Sequence, residues 1–256
     1  MDASKALAAS SRTATLGSAS DIDHATPSRA AEKPRRSLGR FVNENSLTLV
    51  LMALFLLTMV GQTLTGLADH NNDNKEHGQP TVSLREYLVS GHFAEATAEN
   101  WESEFLQMAM FVLLTVCLRQ KGSPESKPME GEDEVDEDPA EKRGDPDAPW
   151  PVRRGGFVLW LYSHSLSIAF AILFLFSFAV HAWGGAREYS QDQLAHGEGG
   201  TTMLQYIATT RFWFESFQNW QSEFLSLAAM VYLAVYLREK GSAESKPVAS
   251  PHGEQE

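Results

Sequence analysis

Adding 119 to a residue number in the first half of this 256-residue chain lands on a similar residue in the second half. Ser46-Leu47 meets Ser165-Leu166, Leu54-Phe55-Leu56 meets Leu173-Phe174-Leu175, Gly66 meets Gly185, Tyr87 meets Tyr206 and Phe93 meets Phe212. Over residues 100–128, 19 of 29 positions are identical to their counterparts in 219–247. The chain reads as two copies of one unit, so its fold is expected to repeat that unit, with paired residues of the two halves able to face each other.

Each copy carries two apolar runs, residues 46–67 and 105–118 in the first and 157–183 and 224–237 in the second. A charged fraction of 21% makes the chain look soluble on average, but the charges lie between the runs. The first and third runs are long enough for a bilayer crossing, which takes about 20 residues. The second and fourth have only 14 residues, too few for a ~30 Å hydrocarbon core at ~1.5 Å per residue. Helices starting at Asn100 and Asn219 lengthen them to 19 residues, ending at Leu118 and Leu237, and bring Ser103, Glu104 and their copies inside the helix.

Each copy is then an out-and-back hairpin, and both keep one orientation. The expected fold is an all-α integral membrane protein: four transmembrane helices as two tandem parallel hairpin repeats about a pseudo-twofold axis along the membrane normal. A cleaved signal at the first run is disfavoured, because a secretory apolar core is shorter and the run has a copy in mid-chain. Lys and Arg crowd one side, with Arg35, Arg36, Arg40, Arg119, Lys121, Arg153, Arg154, Arg238 and Lys240 among them. Only Lys75, Arg85, Arg187 and Arg211 lie in the two opposite loops. Both termini should be cytoplasmic, in a bacterial inner membrane, with the lipid bilayer as a partner.

Between the spans of each copy, Ser83 with Glu86 and Thr202 with Gln205 fit the S/T-x-x-E/Q capping box, a helix-start signal. Behind them Leu84, Tyr87 and Leu88, or Met203, Tyr206 and Ile207, form an apolar stripe. Short outer helices lying in the interface, or lids packed on the bundle, fit equally well.

The domain plan is a disordered tail over 1–40, a first hairpin over 41–128, an acidic disordered linker over 129–152, a second hairpin over 153–247 and a tail over 248–256. Residues 129–149 hold ten Asp or Glu against two Lys or Arg, with three prolines, a composition that resists collapse. The linker or tails could recruit an unknown protein partner, and a homo-oligomer is possible, but nothing indicates nucleic-acid binding. Cys117 is the only cysteine, which excludes an internal disulfide, and a small core residue is the plain account of it.

The repeated N-W-[EQ]-S-E-F-L and L-R-x-K-G-S-x-E-S-K-P segments resemble those of an uncharacterised family of bacterial four-span membrane proteins. The resemblance covers both hairpins and implies an inner-membrane location, but it carries over no activity and no catalytic residue.

On a helix from Asn100, the residues Asn100, Ser103, Glu104 and Gln107 share one face, and Asn219, Ser222, Glu223 and Ser226 repeat it. Gln62 and His181 add polar groups from the preceding spans. A polar face there must turn inward or to water. It could form an outward-facing pocket, Glu104 opposite Glu223, that binds or conducts a cation, proton or small solute. The alternative is a non-transporting structural or regulatory membrane protein acting through partners. Plain structural roles also fit: Asn as helix cap, Trp101 and Trp220 as interface anchors and Glu near the positive end of the dipole. His164 and His181 lie too far apart to share a metal and read as hydrogen-bonding positions, matching Asn45 and Gln62. No enzyme, cofactor or metal motif is present.

Overall fold

The computed structural model describes residues 38–131 and 133–252 and is all-helical, with no strand among the described residues. In chain order the α-helices are α1 (Leu38–Glu44), α2 (Ser46–Glu76), α3 (Leu84–Tyr87), α4 (Gly91–Cys117), α5 (Trp150–Arg154), α6 (Gly156–Ser163), α7 (Ser165–Ala195), α8 (Met203–Ile207) and α9 (Thr210–Tyr236). Most of the N-terminal tail lies outside the described residues, as do Glu132 and residues 253–256. Two short 3-10 turns, Glu134–Asp136 and Pro139–Gly144, fall within the acidic stretch.

The chain separates into two units, residues 1–55 and 56–256. In the first, α1 and the start of α2 meet at Asn45, whose Nδ2 donates to the Phe41 carbonyl at 2.8 Å. His164, the equivalent position in the second copy, bonds the Trp160 carbonyl through Nδ1 at 2.8 Å. The run 157–183 is therefore not one straight helix. It breaks at His164, whose φ of −112° and ψ of 8° leave the helical region. The expected hydrogen-bonding role of His164 is observed.

Two helices, α2 and α7, each 31 residues, are long and apolar enough to cross a membrane. The helices α4 and α9 have 27 residues each, about 40 Å at ~1.5 Å per residue. They do not begin at Asn100 and Asn219. Ser90 and Thr209 are the caps, their hydroxyls accepting the backbone N–H of Phe93 at 3.1 Å and Phe212 at 3.3 Å. Each helix thus starts nine residues earlier than the apolar pattern suggests, and Asn100 and Asn219 sit within it, bonding the carbonyls of Ala96 and Glu215.

In the second unit α4 packs most extensively on α7, and small residues set how closely. A Cβ on Gly184 would stand 2.6 Å from the Glu95 backbone nitrogen, and one on Gly91 2.7 Å from the Gly184 carbonyl oxygen. One position on, Gly185 makes room for the Tyr206 ring, as Gly66 does for Tyr87. Both capping boxes form, and the tyrosines behind them are buried. The short helices α3 and α8 are thus pinned to the bundle as lids, each by a tyrosine on a glycine.

At the far end of the bundle the two S-x-E-S-K-P segments repeat one local structure. Gly122 and Gly241 turn the chain at φ +85° and +88°, where a side chain is strained. Ser126 and Ser245 then accept the backbone N–H of Gln120 and Glu239. The segments together line one cavity of about 240 Å³, with Ser123, Ser126, Ser245 and Lys246 in its wall. Cys117 is exposed rather than a core residue, because it sits at the last turn of α4.

Candidate functional site

Starting α4 at Gly91 adds a helical stripe that the apolar pattern hides: Glu95, Glu99 and Glu102 at i, i+4 and i+7 fall on one face. That face meets α7 and α9. Glu102 is fully buried, and its Oε2 lies 2.8 Å from Nδ1 of His181, also fully buried. The other Glu102 oxygen accepts Trp220 Nε1 at 3.1 Å. A carboxylate only accepts, so Nδ1 carries the proton and the ring orientation is fixed.

That leaves Nε2 of His181 facing the remaining acids. It is buried and has no hydrogen-bond partner; the nearest carboxylate oxygen, Glu215 Oε2, is 3.7 Å away, beyond bonding reach. The Tyr206 hydroxyl stands between two carboxylates, 2.9 Å from Glu95 Oε1 and 2.6 Å from Glu215 Oε2. It has one proton to donate, so the second contact is satisfied only if that carboxyl carries a proton of its own. Arg211 Nε donates to the other Glu215 oxygen at 2.9 Å.

Glu95 lies on the lid side of the apolar run of α4. Burial, then the bond to Glu215, raises the Tyr206 hydroxyl well above the ordinary phenol range, so it stays protonated. Around the cluster the Phe212 ring stacks on His181 with centroids 4.8 Å apart, and the Ser177 and Ser216 hydroxyls are buried without partners. Such a cluster, with several carboxylates around one imidazole, can hold a proton or a cation.

The residues expected from the sequence are divided by the fold. His181 stands at the centre of the cluster. Ser103 and Gln107 are buried, with Ser103 bonding the Asn100 carbonyl at 2.8 Å. Gln107 Nε2 donates to the Glu223 carbonyl at 2.6 Å and to Ser226 Oγ at 3.3 Å, so these equivalent residues of the two copies touch. Gln62 bonds Thr97 Oγ1 at 3.3 Å in the first copy. Glu104 is exposed and Glu223 half-buried, near enough to interact, but they do not close a buried pocket. Asn100 and Ser222 are exposed, and Ser222 bonds the Asn219 carbonyl.

Glu95, Glu102, Tyr206, Arg211, Glu215 and Trp220 were not among the expected site residues. For the three glutamates the signal lay where the copies differ, as it does at His181: Glu95 faces Phe214 in the alignment, Ala96 faces Glu215, Glu102 faces Gln221 and Gln62 faces His181. Fold and cluster together define a helical protein with two membrane-length helices and a buried acid–histidine centre. Residues 38–256 match the family described as "Domain of unknown function (DUF6766)", and the chain belongs to it. No curated protein and no solved structure matches the chain.

Proposed function

We infer that this is a four-span inner-membrane protein with cytoplasmic termini that binds or conducts a cation, the proton being the smallest, through a polar site on its outer side. The outward pocket expected at Glu104 and Glu223 is relocated to Glu95, Glu102, His181 and Glu215. The carrying observation is the buried His181 Nε2, without a partner and directed at carboxylates that share one tyrosine proton.

Lipid is the medium that suits α2 and α7. The most apolar stretch of α2 is wholly unburied and that of α7 only 17% buried, where a water-soluble fold would cover such surface. Lys and Arg flank the ends away from the lids, which supports lids and a cluster on the outer side. Ionisable groups inside a helical membrane bundle mark ion and proton pathways.

The test uses the purified chain in proteoliposomes holding a pH-sensitive dye, with a proton or alkali-cation gradient imposed. The wild type should give protein-dependent uptake or flux that His181→Gln and Glu215→Gln abolish. Equal responses from wild type, both variants and empty liposomes would sink the inference.

A further inference from the structure

We propose that Glu95, His181 and Glu215 form a binding site for one divalent transition-metal cation of the Zn2+ class. The proposal rests on the preceding account of the cluster as a cation site and names its occupant. One ligand atom from each residue lies within 4.8 Å of the others. Tetrahedral coordination with bonds of ~2.0 Å sets ligand atoms roughly 3.3 Å apart. Small side-chain shifts therefore close the set, and Nε2 and Glu215 Oε2 already stand 3.7 Å apart.

Three further features belong to metal centres. The Glu102–His181 bond directs the protonated Nδ1 away and offers the Nε2 lone pair to the site, the carboxylate–histidine–metal arrangement. The ligands come from three helices, α4, α7 and α9, so the packed bundle holds them without help from a loop. The Tyr206 hydroxyl, within bonding distance of both ligand carboxylates, can donate its one proton to one of them after the metal arrives or be the fourth ligand. An imidazole with carboxylates suits zinc, manganese, iron or nickel. Calcium, which takes six to eight oxygens, is poorly served.

The duplication limits the number of sites. In the other copy Glu95, His181 and Glu215 are replaced by Phe214, Gln62 and Ala96, so there is no second set. A competing place exists at the rim, where His77 and His196 occupy equivalent positions in one cavity of about 470 Å³ with Asp73 and Asp192. Those histidines are exposed and bond carbonyls of their own helices through Nδ1. They are the site of adventitious surface binding that a test must separate.

The full chain, stripped with chelator and reconstituted in nanodiscs, is titrated with Zn2+ by calorimetry, and X-ray absorption is read on the zinc-loaded wild type. We expect one zinc per chain with a single imidazole in its first coordination shell. His181→Gln should weaken binding by 100-fold or more, Glu102→Gln by about 10- to 100-fold, and H77Q/H196Q not at all. The wild-type spectrum needs no variant to fold, and Glu102→Gln leaves every ligand in place. No saturable binding, two imidazoles, or zinc lost in H77Q/H196Q but kept in His181→Gln would each overturn the proposal. If zinc fails while liposomes still show His181-dependent proton uptake, the cation-site account stands and only the metal falls. If both fail, both are wrong.

Discussion

Tyr87 and Tyr206 hold the same position in the two copies, yet their hydroxyls have different neighbours. Tyr206 bonds two glutamates, whereas the Tyr87 oxygen meets His92 Nδ1 at 3.2 Å. Removing the Tyr206 hydroxyl leaves buried carboxylate oxygens without a donor, a loss of about 1–3 kcal/mol. Tyr206→Phe should therefore lower the thermal midpoint in nanodiscs clearly, and Tyr87→Phe by a smaller amount; equal shifts would refute the difference. The residues of the cluster were hard to see in the sequence for a geometric reason. Glu102 and Glu104 are two positions apart, about 200° around a helix, and the repeated motif draws attention to Glu104 because both copies keep it. The buried Glu102 differs between copies, as Gln221 in the second. Identity between repeats marked the shared framework, Tyr206 and Trp220 included, whereas the acids and the histidine of the cluster stand where the copies diverge.

The helices α3 and α8 use the same cap with different chemistry. The Glu86 carboxylate is held below its ordinary range by the backbone N–H and hydroxyl of Ser83, while Gln205 in the equivalent box does not titrate. A carboxyl with a depressed folded-state pKa contributes stability above its unfolded value of 4.5 and loses it as pH falls below that value. Acid should fray α3 and spare α8. Hydrogen exchange over 83–88 and 202–207, corrected for intrinsic rates, should diverge between pH 7 and pH 4, and Glu86→Gln should remove the divergence. At the crossing of α4 and α7, Gly184→Ala presses a Cβ onto backbone and should cost about 1–3 kcal/mol. Gly61→Ala, with nothing within 4 Å, is the control, and a similar loss in both would contradict the close-crossing account. The capping boxes were legible in sequence because four residues specify them. The starts of α4 and α9 were not, since residues 91–99 and 210–218 mix charged side chains with aromatic and small ones ahead of the continuous apolar runs, and only their caps, Ser90 and Thr209, mark them.

For the whole molecule, the two long apolar helices were legible from run length alone. What faces what was not, because helix-to-helix contacts depend on glycine positions rather than on hydropathy. The proposed topology gives a direct outcome. In a Cys117→Ser background, a membrane-impermeant maleimide added to intact cells should label Gly199→Cys, between α7 and α8, and not Gly131→Cys, between α4 and α5. The opposite pattern would reverse the orientation.

The contact of Gln107 with Ser226 joins equivalent points of the two copies, and beside it lies a cluster with no equivalent. Two separate identical hairpins could not build this arrangement, since every substitution would appear in both partners. A histidine gained opposite one glutamate would also be gained where Gln62 now stands. Covalent fusion removes that constraint: one linked gene product can specialise one flank while the other keeps the scaffold. The tandem chain thus resembles a heterodimer made from one coding sequence, with a single acid–histidine centre where a symmetric assembly would be obliged to carry two.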